Sequence, residues 1–99
     1  MSLPIGSQKV TSDIAVGVSG KKIRLYGLIV RSTAGGAAVV NVYNGTSTSG
    51  VLTDIVDVSA ASTTTRVMYA GGLYLGSGCF IDVDTNTSFV TAIYEQENS

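Results

Sequence analysis

The sequence has no histidine, no tryptophan, one cysteine and one proline in 99 residues. Without histidine there is no Ser-His-Asp arrangement, no Cys-His pair, and none of the commonest zinc ligand. Cys79 alone forms no internal disulfide, which excludes a small secreted scaffold stapled by bridges. With no histidine to activate it, Cys79 reads as a small apolar strand residue rather than a nucleophile. Charged residues make up 13% of the chain, about half the ~25% of an ordinary soluble domain. So little ionic surface suits a chain that packs against other subunits. No apolar run approaches the ~20 residues needed to span a bilayer. The opening "MSLPIGSQKV" carries no apolar segment of signal-peptide length, so synthesis in a cytoplasm without classical export is expected.

What is present is β-sequence. Val, Ile, Thr and Tyr occur in short runs divided by Gly, Ser and Asn, no window has a helical period, and Pro4 precedes the first run. The expectation is a single domain over residues 1–99, with 1–7 as an N-terminal arm. Its fold class is all-β: a single antiparallel β-sandwich, jelly-roll-like or Ig-like, of about eight strands. The expected strands are "QKVTSDIAVGV", "KIRLYGLIVRS", "AVVNVYN", "VLTDIVDVS", "TTTRVMYAG", "GLYLG", "CFIDVDT" and "SFVTAIYEQ". Alternation assigns Val16, Ile23, Leu25, Val40, Val42, Leu52, Val56, Val67, Leu73, Ile81, Val83, Val90 and Tyr94 to the core. Ile29 shares the parity of Ile23 and Leu25. Gly27 interrupts its strand and predicts a bulge or a close backbone approach.

That parity leaves Leu28, Ile55, Phe80 and Phe89 facing outward. They are the apolar candidates for a subunit interface, the competing explanation being a parity shifted by a bulge. Charge is divided along the chain. Residues 1–50 hold five cations against Asp13 (+4), and residues 51–99 hold Arg66 against six carboxylates (−5). Such a split either pairs within the fold or steers one subunit onto another. Lys21, Lys22 and Arg24, in "GKKIR", are the charged interface candidates. Three cations and a pI near 5.0 are too little for a nucleic-acid footprint, so no nucleic-acid or membrane partner is expected.

The remaining motifs read as turns. Asn44-Gly45-Thr46 and Asn86-Thr87-Ser88 are glycosylation sequons, but Asn-Gly is also a strong hairpin signal. "DVDTNTSFVTAIYE" starts like an EF-hand loop with Asp82, Asp84 and Asn86. It then fails where Thr87 replaces the required glycine and Ile93 the closing glutamate. "TAGGAA" and "AGGLYLGSG" lack the helix and the Gly-Lys-Ser/Thr of a phosphate cradle. Asp pairs two apart on a polar face are ordinarily solvated charges. The sequence therefore offers no catalytic residues, no metal ligands and no cofactor site. Tyr26, Tyr43, Tyr69 and Tyr74 lend weak support to sugar stacking.

The last third, "AGGLYLGSGCFIDVDTNTSFVTAIYE", resembles small structural proteins of tailed bacteriophages. There a strand leads to a Gly-Leu-Tyr step (Gly72-Leu73-Tyr74), then a Val/Asp strand, a turn, and a closing strand ending in Tyr-Glu. "VNVYNGTSTSGVL" is similar to the hairpin of that group, and the likeness spans roughly residues 8–95. The resemblance implies a jelly-roll or Ig-like sandwich made in the host cytoplasm and built into the virion. Its implied role is capsid decoration or cement; the alternative is a tail, baseplate, receptor-binding or carbohydrate-binding part of the particle. It carries over no catalytic residues. Partners would be the major capsid protein or other virion proteins, and further copies of the chain. The expected oligomer is a trimer on a capsid three-fold position. Lys9, Lys21, Lys22 and Arg24 would face the shell and loop 44–50 would point away from it.

Overall fold

Alternating β-branched and polar residues, broken by glycine and serine turns, build strands, and there is no helix among the described residues. The computed structural model describes residues 6–96. Its strands are β1 Gly6–Val10, β2 Ile14–Val16, β3 Ile23–Ser32, β4 Ala38–Asn44, β5 Val51–Val58, β6 Thr64–Leu75, β7 Cys79–Val83 and β8 Thr87–Gln96. They pair as two four-stranded sheets, β1-β8-β3-β6 and β2-β7-β4-β5, antiparallel throughout.

The order identifies the topology. Pairs β1–β8, β2–β7, β3–β6 and β4–β5 are those of a chain folded back once, with the β4–β5 hairpin at its tip. The two further pairings, β8–β3 and β7–β4, roll that long hairpin into two layers. This is a jelly roll. An Ig-like sandwich keeps its first two strands in one sheet, whereas β1 and β2 here lie in different sheets.

Between the layers the inward side chains form one core. β3 supplies Ile23, Leu25, Leu28 and Val30; β4 supplies Val40 and Val42; β5 supplies Val56 and Val58. Val10, Val16, Leu75, Cys79, Ile81, Val90 and Ala92 complete its large part. Val67, Tyr69, Leu73, Val83 and Tyr94 pack against it while partly exposed. Of the core residues expected from alternation, only Leu52 is out of place, at 47% exposed.

Two bulges explain both the misplaced residues and the one gained. In β3, Leu25 faces Tyr94 and the next pair is Gly27 with Ile93, so Tyr26 is an extra residue. Parity after it is reversed. Leu28, expected outside, is fully buried, and Ile29 takes the half-exposed outer position. In β5, Asp54 pairs with Val42 and Leu52 with Tyr43, so Thr53 is extra and Leu52 is turned outward. Gly27 is needed where its bulge passes β6. A Cβ there would lie 3.0 Å from the Val67 carbonyl oxygen and 2.6 Å from the Met68 sulfur.

Strand boundaries differ in two places. "QKVTSDIAVGV" is not one strand: Thr11, Ser12 and Asp13 carry the chain from β1 in one sheet to β2 in the other. Asp13 fixes that crossing by accepting a hydrogen bond from the Val83 N–H at 2.8 Å. Conversely, "TTTRVMYAG" and "GLYLG" belong to one strand, β6, in which residues 69–72 bow out opposite Tyr26. Residues 1–5 of the expected arm lie outside the described residues, while Gly6 and Ser7 belong to β1 and pair with Tyr94 and Ile93.

Candidate interaction surfaces

Cross-strand partners share a face, so the register maps the outside of each sheet row by row. On β2-β7-β4-β5, Ala15, Phe80, Tyr43 and Leu52 form one row across all four strands. Asp82, Asn41 and Ile55 form the next. Val39 and Asp57 follow, with Asp84 accepting the Val39 N–H at 2.9 Å. Ile55 and Leu52 are about half exposed, at 50% and 47%. This outer face combines apolar side chains with Asp57, Asp82 and Asp84, and carries no Lys or Arg among the described residues.

The outside of β1-β8-β3-β6 has the opposite sign. Its rows are Glu95, Arg24 and Tyr74; Ser7, Ile93, Gly27 and Met68; Lys9, Thr91, Ile29 and Arg66; and Phe89, Arg31 and Thr64. Among the described residues, Lys9, Arg24, Arg31 and Arg66 share this face with a single carboxylate, Glu95. Three of these cations are held by neutral groups. The Lys9 Nζ sits 5.0 Å from the centre of the Phe89 ring and the Arg24 guanidinium carbon 5.7 Å from that of Tyr74. Arg24 donates to the Gly71 carbonyl at 3.3 Å and Arg31 to the Thr64 hydroxyl at 2.9 Å. Two carboxylates of the other face are likewise engaged by neutral donors. Asp82 accepts from Asn41, and Asp84 accepts from the Asn86 N–H and the Thr87 hydroxyl as well as from Val39.

The charge split seen along the chain is thus a split between the two broad faces of a slab. The candidate residues fall in four places. Ile55 and Phe80 lie one row apart on the acidic face, and Phe89 and Arg24 lie on the basic face. Lys21 and Lys22 are exposed on the β2–β3 connection, at one end of the sandwich. Leu28 is in the core. Sequence reasoning sets Val39 and Tyr43 opposite Val40 and Val42 without naming them as interface groups, misplaces Leu52 in the core, and misses Arg31 and Arg66 as members of one basic face. Outward parity was visible for most of them, but the pairing that groups them was not.

The end that carries Lys21 and Lys22 also carries loop 44–50. A Cβ placed on Gly20 would lie 3.7 Å from the Thr46 methyl group. An arrangement in which these lysines face a surface while the loop points away from it therefore does not fit the fold. Asn44 is engaged here: its side-chain oxygen accepts the Ser77 N–H at 2.9 Å, and Gly45 donates to the Gly78 carbonyl at 3.1 Å. The "DTNT" segment is an Asx turn built on Asp84.

Burial sets the two resolved titrations. The Cys79 thiol, 1% exposed, is pushed up to about 12 because its thiolate would be stripped of water. The Tyr69 hydroxyl is also raised, first by burial and then by its hydrogen bond to the Asp54 carboxylate. Both protons are held more tightly in the fold than in the unfolded chain. Stability is therefore full below about pH 9, where neither state ionises, and declines as pH rises toward the folded values. Cys79 alone accounts for about 1 kcal/mol per pH unit in that window. Urea midpoints at neutral pH and above pH 10 should show a fall in the wild type and a smaller fall in Cys79→Ala. Equal falls would exclude Cys79 as a source.

Among the described residues there is no concave pocket and no group of three or more His, Cys, Asp or Glu side chains placed to hold a metal ion. No protein-family model matches the chain, and no match was found among curated proteins or solved structures.

Proposed function

We propose that the chain is a non-enzymatic structural subunit of a tailed-bacteriophage particle, a decoration or cement protein that binds the capsid shell as a homo-oligomer. It would be made in the host cytoplasm and reside in the virion, with the major capsid protein and further copies of itself as partners. One observation carries the reading: both broad faces of a small jelly roll present apolar side chains that the monomer leaves half covered. Ile55 and Leu52 stand on one side and Met68, at 66% exposed, on the other. A domain of this size gains stability by covering such faces on neighbours. The jelly roll is an architecture used by viral capsid domains, and the resemblance of residues 70–95 to phage structural proteins supports a tailed-phage particle. Mass spectrometry of purified particles should find the chain in stoichiometric amount with the shell protein. Its absence from particles would defeat the reading.

A second reading is a receptor- or carbohydrate-binding module on the same kind of particle. It is favoured by Tyr74, 51% exposed beside Arg24, because an aromatic face with an adjacent guanidinium suits sugar recognition. Glycan binding by the isolated domain, lost in Tyr74→Ala, would support this reading over the first.

A further inference from the structure

We propose that copies of this chain stack head to tail, the basic outer face of β1-β8-β3-β6 on one copy docking onto the acidic outer face of β2-β7-β4-β5 on the next. The inference rests on the reading above, that the chain is an assembly subunit, and identifies the partner of its faces as a second copy. Three observations converge on it. The faces have opposite charge: Lys9, Arg31 and Arg66 on one, Asp57, Asp82 and Asp84 on the other. Within the monomer the partners found for these charges are neutral: Arg31 donates to Thr64, Asp82 accepts from Asn41, and Asp84 accepts from Val39, Asn86 and Thr87, so these charges are not spent on one another. Each face also sets apolar side chains among its charges, Ile29 and Ile93 against Leu52 and Ile55, which is what packing of sheet on sheet requires.

The sign of each face selects the mode of association. A two-fold dimer would set a face against itself, Lys9, Arg31 and Arg66 against a second set of cations, or three aspartates against three. Head-to-tail contact instead opposes cations and carboxylates. It is heterologous, so each copy keeps one free face of each kind. The two faces of a sandwich point in opposite directions, whereas a three-fold ring needs its contact faces inclined at about 60° to each other. The contact therefore extends into an open series, in place of the trimer expected from sequence.

Sedimentation velocity on the full chain tests this over a range of concentration, in low salt and at ~1 M salt, where the screening length falls to ~3 Å. The expected result is a series of species whose mean mass grows with concentration and drops several-fold at high salt. Lys9→Glu with Arg66→Glu should be monomeric, as should Asp57→Lys with Asp82→Lys, while an equimolar mixture of the two should assemble again. Circular dichroism and thermal melting matching the wild type establish that each variant is folded. Should a double variant fail to fold, the single exposed changes Arg66→Glu and Asp57→Lys take its place. A discrete dimer or trimer indifferent to salt overturns the stack and leaves the structural-subunit reading standing. Failure of the mixed variants to assemble, where the wild type does, also overturns it. A wild-type monomer at every concentration overturns the stack together with the self-association in the proposed function.

Discussion

Leu28→Ala will destabilise the domain by about 2–5 kcal/mol, and Leu28→Asp will leave it unfolded. Leu28 is 0% exposed in β3, which is paired on both sides. Its cross-strand partners are Ala92 on β8 and Val67 on β6, so the site is enclosed within the sheet and covered by the opposite layer. Truncation leaves a cavity that paired backbones on either side cannot collapse to fill, which places the cost toward the upper part of the range. An aspartate there would be a charge without water or a partner. For a chain of this length the total stability is about 5–15 kcal/mol, so the alanine variant should melt about 10 °C or more below the wild type. Ile29→Ala is the control. Ile29 is only half buried and on the outer face, and its loss should cost about 1 kcal/mol or less. Chemical denaturation of the two variants checks the bulge directly. If Ile29→Ala proves the more damaging, the parity of β3 is unbroken and Tyr26 is not the extra residue.

Leu28 and Ile29 also show where the fold is legible in the sequence and where it is not. Alternation placed Ile23 and Leu25 correctly because a strand keeps its parity between irregularities. Gly27 marked the irregularity, but a glycine does not say on which side of itself the extra residue falls. Thr53 carries no mark at all. It is a good strand residue, and its bulge exists only in the pairing of β5 with β4. Alternation counted back from Val56 is therefore one residue out at Leu52 and puts it in the core. The strand boundaries failed for a related reason. "VTSDIAV" has uninterrupted strand character, and what divides it is that β1 and β2 are claimed by different partners, β8 and β7. Conversely, the Gly71-Gly72 step looked like the end of a strand. It is a bow within one, held because β3 pairs on both sides of it.

The candidate surfaces were legible to the same depth. Ile55, Phe80 and Phe89 were identified from outward parity and stand on outer faces. The charge asymmetry was visible as a difference between halves of the chain. Its conversion into a difference between faces depends on which strands become neighbours. β3 brings Arg24 and Arg31 beside Arg66 of β6 and Lys9 of β1 with β8 between, while Asp57 and Asp82 gather on either side of β4. Composition along the chain cannot encode that grouping. It is a property of the rolled hairpin, and the same grouping gives the slab two faces that can bind each other.

Gly78→Ala should cost about 2–4 kcal/mol, an effect out of proportion to one added methyl group. Gly78 occupies the β6–β7 turn at φ +106°, a backbone conformation that residues with a Cβ adopt only at a cost of about 1–3 kcal/mol. The space is also closed. A Cβ would lie 3.1 Å from the Gly20 nitrogen and 3.2 Å from the Gly45 carbonyl oxygen. Three connections meet here: β2–β3 through Gly20, β4–β5 through Gly45, and the turn itself. The obstructing atoms are backbone, which cannot swing aside as a side chain can, so overpacking adds to the strain. Gly71→Ala separates the two contributions. Gly71 sits at φ +75° with nothing within 4 Å of its added Cβ, so it bears the conformational cost alone, about 1–2 kcal/mol. The Gly45 N–H, which donates to the Gly78 carbonyl, gives a local readout. Its hydrogen exchange should accelerate in Gly78→Ala beyond what the loss of global stability explains, because the hairpin loop has lost its seat. Equal destabilisation by the two substitutions, with exchange at Gly45 following global unfolding alone, would mean that the three glycines do not form a packed junction and that loop 44–50 is held by the Asn44–Ser77 bond alone.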